Sequence, residues 1–137
     1  MDPLSITASI IAIVGLSSKV IGYLNDVKGA SNDRARCAIE ASNLNTLLVT
    51  LNFRIQEATS NKPWYAAIQI LAIKDGPLDQ YRYALEQLQP RTISGSGIKK
   101  IGNALLWKFS KEEVTSIISR MERLKMLVQI ALEMDHL

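Results

Sequence analysis

The sequence predicts an all-α protein, an antiparallel bundle of four principal helices with the third helix broken near Gly76-Pro77. Three observations predict this fold. Apolar residues recur at spacings of three and four over long stretches, which is the period of one face of a helix. No stretch alternates apolar and polar residues for long, so strand signals are absent. Cap residues, glycines and prolines divide the chain into segments of helical length.

The first helix is predicted to run roughly from residue 3 to 28. Asp2 and Pro3 form a helix-start pair, and Gly29 follows as a stop. Its large aliphatic residues are Leu4, Ile6, Ile10, Ile11, Ile13, Val14, Leu16, Val20, Ile21 and Leu24. Of these, Ile6, Ile10, Ile13, Val20 and Leu24 form one stripe, but Leu4, Ile11, Val14 and Leu16 spread hydrophobicity over other faces. A separate face carries the small residues Ala8, Ala12, Gly15 and Gly22. The segment is too apolar for a one-sided surface helix, so we expect a central core helix. We favour close packing inside the bundle as the role of the small face.

The next two helices follow from the same spacing. A second helix is expected to reach about Ala58, with an apolar stripe formed by Cys37, Ala41, Leu44, Leu48, Leu51 and Ile55. Pro63 restarts the chain, and Asp75-Gly76-Pro77 interrupts the third helix before it continues to Pro90. Its apolar positions are Trp64, Ile68, Leu71, Leu78, Tyr81, Leu85 and Leu88. Residues 98–109 are a candidate short extra helix.

The last helix has the clearest start. Ser110 and Glu113 form an S-x-x-E capping box, in which each side chain satisfies an amide donor of the other residue. Behind it runs a core-facing stripe made of Val114, Ile117, Met121, Leu124, Val128 and Ala131. This pattern predicts an amphipathic helix that packs on the bundle core.

Composition and motifs argue against an enzyme. The chain has 137 residues and a net charge of +3, which fits one globular domain. It has one cysteine and one histidine, so no disulfide framework and no zinc cluster are expected, and the setting is predicted to be intracellular and reducing. Cys37 lies on the apolar stripe of the second helix, where a small buried thiol is the ordinary interpretation. We find no phosphate-binding loop, no metal motif and no nucleophile with a base, and we expect no cofactor.

The first helix is also a marginal membrane span. Its uncharged run from Pro3 to Ser18 covers about 24 Å, whereas the hydrocarbon core is about 30 Å thick. Extending the span to Leu24 includes Lys19, which costs about 3 kcal/mol near a helix centre. A lone helix would therefore not insert firmly, but an assembly of small-faced helices would change that balance.

Charge is distributed unevenly along the chain. No acidic residue occurs between Glu86 and Glu112. The basic residues in and beside this interval are Arg91, Lys99, Lys100, Lys108 and Lys111. Such a patch would attract anionic lipid at about 1 kcal/mol per side chain. A solvated basic loop is the alternative, and nucleic acid is not an expected partner because the net charge is modest and no motif is present.

Three stretches together carry a family resemblance. They are MDPLSITASIIAIVGLSSKVIGYLNDV, GPLDQYRYALEQL and LLWKFSKEEVTSIISRMERLKMLVQIALEMD. In this order they resemble the fungal N-terminal domain of STAND proteins, the fungal NOD-like receptors, within the HeLo-like group. The resemblance implies that residues 1–137 are one N-terminal effector domain of a longer receptor, followed by a nucleotide-binding domain through which copies self-associate.

The resemblance also implies an activity. Domains of this group are similar to the four-helix domain of the mixed-lineage kinase-like pseudokinase, in which oligomerisation releases an N-terminal hydrophobic segment that permeabilises the plasma membrane. On this chain that segment would be Leu4 to Leu24. We therefore expect a cytoplasmic cell-death effector that moves to the plasma membrane when clustered, in fungal incompatibility or defence. The alternative is a signalling adaptor that binds a protein partner, or itself, without touching lipid, through exposed side chains such as Trp64, Tyr65, Tyr81 and Tyr83.

Overall fold

The computed structural model describes residues 3–26, 32–57, 62–89 and 108–134 as an all-α helical bundle. Five helices make up these residues: α1 (Pro3–Asp26), α2 (Asn32–Glu57), α3 (Lys62–Leu71), α4 (Pro77–Leu88) and α5 (Lys111–Met134). The predicted all-α class is confirmed. Of the candidate extra helix, residues 98–107 lie outside the described part, and Lys108 and Phe109 are not helical.

The helices enclose one core. α2 and α4 each pack against both α1 and α5, while α3 packs against α5 and α4. Every position of the predicted stripes of α2 and α5 is buried, so spacing alone identified their inward faces. α1 and α2 run antiparallel, because Arg34 bonds the carbonyl of Leu24 and Asn45 bonds Ser18.

The predicted break in the third helix separates α3 from α4. Asp75 has a φ of 58°, in the left-handed region that Asp tolerates better than most residues. A Cβ at Gly76 would lie 2.5 Å from Ile73 Cγ1 and 2.9 Å from the Ile73 carbonyl oxygen, so this position needs glycine. Pro77 then begins α4, where its missing N–H costs no hydrogen bond.

Side chains of α4 hold the break in place. The Asp79 carboxylate accepts a hydrogen bond of 2.8 Å from the Asp75 amide. The Tyr83 hydroxyl donates a bond of 2.7 Å to the Asp75 carboxylate. Arg82 forms ion pairs with Asp79 and Glu86 and lies over the Tyr83 ring. This network fixes the direction in which α4 leaves the break. α4 also carries Tyr81, whose hydroxyl lies 2.9 Å from Ser17 Oγ on α1.

α5 begins as predicted. The Ser110 amide donates to the Glu113 carboxylate at 2.9 Å, and the Glu113 amide donates to Ser110 Oγ at 3.1 Å. Both halves of the capping box are therefore formed, which fixes where the helix starts.

Candidate functional site

α1 has one buried face, contrary to the expectation of a central core helix. The fully buried face is made of Ile6, Ile10, Ile13, Ser17, Val20 and Leu24. Three more of the ten predicted aliphatics are half-buried, namely Val14, Leu16 and Ile21. Leu4 and Ile11 are exposed over 80% and 56% of their surface. The prediction of a central helix is wrong because, among the described helices, α1 packs closely on α2 and α4 along one side.

The small-residue face points to solvent. Ala8, Ala12, Gly15 and Gly22 are all exposed, and a Cβ added at either glycine would meet no atom within 4 Å. Our preferred interpretation, that this face packs closely inside the bundle, is therefore wrong. Small residues allow close approach, but the larger aliphatics of the opposite face bury more apolar area, and that face is the one turned inward.

Polar contacts position α1 on its neighbours. Ser17 Oγ and the Tyr81 hydroxyl lie 2.9 Å apart, and both residues are fully buried. Burial raises the pKa of Tyr81 to about 12, so the phenol is neutral and able to donate. Arg34 donates a bond of 2.6 Å to the carbonyl of Leu24, near the end of α1. These contacts leave the opposite side of α1 facing outward.

The outward side of α2 continues this uncharged surface. No residue from Ala41 to Phe53 is charged. Val49 and Phe53 are exposed, Phe53 over 62% of its surface. The hydroxyls of Thr46 and Thr50 bond to the carbonyls four residues earlier in α2. Their bonds are satisfied within the helix, so these threonines add little polarity to the surface.

The two exposed surfaces lie side by side. Asn45 donates a hydrogen bond of 3.5 Å to Ser18, which marks the boundary between the two helices on the outer side. From that boundary toward the start of α1, the exposed residues are Ile11 and then Leu4. From the same boundary toward the end of α2, they are Val49 and then Phe53. Because the helices are antiparallel, both pairs of residues lie on the same side of the boundary. We call this surface the α1–α2 outer face, made of Leu4, Ala8, Ile11, Gly15, Val49 and Phe53.

α1 has the length and composition of a membrane span. Among the described residues it is the one helix long and apolar enough to cross a bilayer, and 33% of its most apolar stretch of 18 residues is buried. Core helices of soluble proteins and signal sequences share this length and composition. α1 differs from an ordinary amphipathic surface helix in its outer face, because no side of the helix carries a charged residue from Pro3 to Ser18.

The predicted basic patch is described in part. Lys108 and Lys111 are exposed beside the start of α5. Arg91, Lys99 and Lys100 lie outside the described residues.

A groove of about 370 Å³ lies between α1 and the α3–α4 break. It is lined by Ser9, Ala12, Ile13, Ala72, Lys74, Leu78, Asp79 and Arg82. Arg82 and Asp79 are already paired with each other, and Glu86 also holds Arg82. The charges here are largely balanced, so the groove shows no preference for an anion or a cation.

Other chemistry-bearing residues form no cluster in the described part of the chain. Cys37 is buried, and burial raises the pKa of its thiol to about 11, which keeps it protonated and unreactive. Within residues 3–26, 32–57, 62–89 and 108–134, no group of three or more His, Cys, Asp or Glu side chains could hold a metal ion.

The aromatic residues proposed for an adaptor surface are only partly available. Trp64 and Tyr81 are buried, which confirms their place on the predicted apolar stripe and shows that the alternative use of them as exposed adaptor residues is wrong. Tyr65 and Tyr83 are half-buried. Sequence reasoning also missed the Ser17–Tyr81 bond, although Ser17 lies on the stripe that links Ile13 and Val20. That position is the signal that could have found it, since a serine on a buried stripe needs a partner.

Comparison of the chain with protein-family models, with curated proteins and with solved structures finds no match.

Proposed function

We propose that this bundle is a membrane-targeting effector domain. It docks on the membrane through the apolar α1–α2 outer face, the predicted basic patch attracts anionic lipid, and α1 permeabilises the bilayer when several copies are clustered. In the fungal STAND group that the sequence resembles, such an activity causes cell death, and we extend the proposal to that outcome. The observation that carries it is the exposure of Leu4 and Ile11 on a helix that has no charged residue from Pro3 to Ser18.

The docking strength expected from this face explains why clustering matters. Burying a large apolar side chain contributes about 1.5–3 kcal/mol. The four large side chains of this face, Leu4, Ile11, Val49 and Phe53, are already partly covered by the bundle. Their exposed parts leave about 4–7 kcal/mol for docking. One myristoyl chain supplies more, at about 0.8 kcal/mol per CH₂, and still gives only marginal and reversible membrane binding. A single domain is therefore expected to stay in solution. Several linked domains bind with much higher avidity because each further contact is intramolecular.

Insertion of α1 demands more than docking. Five buried aliphatics of α1 (Ile6, Ile10, Ile13, Val20 and Leu24) contribute about 7–15 kcal/mol at the usual value per side chain. That range is similar to the whole stability of a domain, about 5–15 kcal/mol. A single folded copy should therefore keep α1 packed. Clustering on lipid would offset this cost, because the released aliphatics transfer into hydrocarbon and the small residues let helices approach each other.

The experiment is dye release from liposomes that contain anionic lipid. The isolated domain is compared with the same chain fused to a constitutive oligomeriser. Release by the clustered form alone supports the proposal. Intact liposomes with both forms, when both are folded and the fusion is shown to be oligomeric, refute it.

A matched pair of variants locates the active face. Ile11 and Ile70 are both 56% exposed, but Ile11 lies on α1 and Ile70 on α3. In the clustered form, Ile11→Glu should abolish release, whereas Ile70→Glu should leave it intact. Equal loss in both variants would show a general effect of added charge. A further pair, Lys108→Glu and Lys111→Glu, should weaken binding to anionic but not to neutral vesicles.

One observation favours the alternative, a signalling adaptor. Ile39 and Phe53 are exposed on the same side of α2, with Thr46 between them, and a partner helix could cover this stripe. An adaptor would leave liposomes intact in the clustered form. Its binding to a cytosolic protein would be lost in Ile39→Glu.

A further inference from the structure

Large and small side chains alternate along the outer side of α1. Leu4, Ala8, Ile11 and Gly15 are all exposed, at successive spacings of four, three and four residues. These spacings place the four residues in one line along the helix. Leu4 and Ile11 project into solvent, while Ala8 and Gly15 leave gaps between and beyond them.

The spacings along this line are the same in both directions, but large and small side chains exchange places when the direction is reversed. Followed backwards, it is Gly15, Ile11, Ala8 and Leu4, again at spacings of four, three and four. When a second α1 is laid antiparallel on the first, Leu4 faces Gly15 of the second copy and Ile11 faces Ala8 of the second copy. Every projection then meets a gap, and the two-fold axis falls midway between residues 8 and 11.

The charges allow the same contact. A two-fold interface brings identical surfaces together, so a charged residue near its centre would lie close to the same charge on the second copy. No charged residue occurs from Pro3 to Ser18 in α1, nor from Ala41 to Phe53 beside it in α2. A fluid lipid surface packs equally well on side chains of any size order. A second helix with the same alternation of large and small side chains packs closely on this line, because each large side chain enters a gap.

We infer that two copies of this chain pair through the outer sides of α1, antiparallel and across a two-fold axis, with Leu4 against Gly15 and Ile11 against Ala8. The inference goes beyond the proposed function and stands without it, since it requires no lipid. One helix pair buries less surface than the roughly 800 Å² per partner of a standard stable interface. The pairing is therefore weak and dependent on concentration, and cross-linking is the suitable measurement.

Cysteine cross-linking in solution tests the geometry. Ala8 faces residue 11 of the second copy, so two cysteines at position 8 are offset by about 4.5 Å along the helix axis. Ala8→Cys should form disulfide-linked dimers under mild oxidation. Two cysteines at position 22 would be offset by about 38 Å, so Gly22→Cys should not. The wild-type chain is the control, because its cysteine is buried.

A mixed experiment tests the register. In an antiparallel pair, position 4 faces position 15, whereas each is offset from its own counterpart by about 16 Å. Leu4→Cys and Gly15→Cys should therefore cross-link when mixed, but neither should cross-link alone. Equal cross-linking at positions 8 and 22 would overturn the antiparallel arrangement, because parallel helices or non-specific aggregates would give that result.

A size exchange tests whether the alternation matters. Ala8→Ile places a large residue against Ile11 of the second copy and should weaken dimerisation at least about tenfold, which corresponds to about 1.4 kcal/mol. The double variant Ala8→Ile with Ile11→Ala restores the opposition of large and small and should return dimerisation to near the wild-type level. Ala8 is exposed, so circular dichroism should show an unchanged fold. Stronger association of the single variant would refute the inference, since a surface that associates only through its apolar area would bind more tightly when that area increases.

The two proposals fail separately. All the cross-linking is done without vesicles, so its failure leaves dye release unaffected. If both hold, pairing and lipid docking compete for the same side of α1, and Ala8→Ile should bind anionic vesicles at least as well as the wild type. Dimerisation of the isolated domain, with no vesicle binding even by the clustered form, would overturn the proposed function and support the pairing. If the isolated domain is monomeric at every concentration and the clustered form releases dye, the pairing is overturned and the proposed function is supported.

Discussion

The bond between Ser17 and Tyr81 is a buried polar contact whose value can be measured by a double-mutant cycle. Both side chains are fully buried, and their oxygens lie 2.9 Å apart. Tyr81→Phe removes one hydroxyl and leaves Ser17 Oγ without this partner, and Ser17→Ala does the same to the phenol. Leaving a buried polar group unsatisfied costs about 1–3 kcal/mol. We therefore expect each single variant to lower the free energy of unfolding by about that amount.

The double variant should be much less destabilised than the sum of the two. When both partners become apolar, no unsatisfied group remains, and such replacements are often nearly neutral. The coupling energy should then be about 1–2 kcal/mol, within the range seen for residues in contact. The assay is urea unfolding followed by circular dichroism, with all four proteins at equal concentration. Additive losses would show that the two hydroxyls do not depend on each other, and would refute the role given to this bond in holding α1.

Three further outcomes are expected from the local geometry. Gly15→Ala should stabilise the protein by about 0.5–1 kcal/mol, since a Cβ at this position meets no other atom within 4 Å. Gly76→Ala should destabilise the protein, because the added Cβ would collide with Ile73. Thermal unfolding of the two variants measures both effects. Ser110→Ala should cost about 0.5–2 kcal/mol in urea unfolding, because it removes half of a formed capping box. Burial raises the pKa of the Cys37 thiol from 9.0 to about 11, so its contribution to stability is complete below pH 9 and is lost as the pH rises toward 11. Cys37→Ala should lack that part of the alkaline loss, and the native thiol should react with a thiol reagent only after unfolding.

Sequence patterns identified most of the core because polar residues marked the outer faces. On α5, Lys111, Glu112, Glu122 and Arg123 lie outside the apolar stripe, so the inward side is unambiguous. The break between α3 and α4 was equally clear, since the geometry at Gly76 excludes a side chain and Pro77 suits a helix start. In both regions the local signal and the packing agree.

On α1 the predicted stripe of Ile6, Ile10, Ile13, Val20 and Leu24 is buried, so spacing identified the inward side there too. What the sequence did not show is that the opposite side is exposed. A run with no charge from Pro3 to Ser18 gives no polar contrast, and that contrast is what marks the outer side of a helix. The sequence also did not reveal the buried Ser17–Tyr81 bond. Spacing within a single helix carries no information on a partner 64 residues away. Tyr81 lies on the predicted apolar stripe of the third helix and is buried, but that stripe did not reveal that its hydroxyl pairs with Ser17.

The composition of the outer side of α1 is not explained by the stability of a single bundle. A glycine inside a helix costs about 0.5–1 kcal/mol relative to alanine, and neither Gly15 nor Gly22 is approached by another part of the described chain. Pairing of two copies gives Gly15 a role, because Leu4 of the second copy faces it. Gly22 lies beyond the overlap of the paired helices, so pairing leaves it unexplained. Close approach of several α1 helices in lipid would use both glycines. The two glycines therefore separate the proposals: bulk at position 15 should disturb contacts in solution and in lipid, while bulk at position 22 should matter only in lipid.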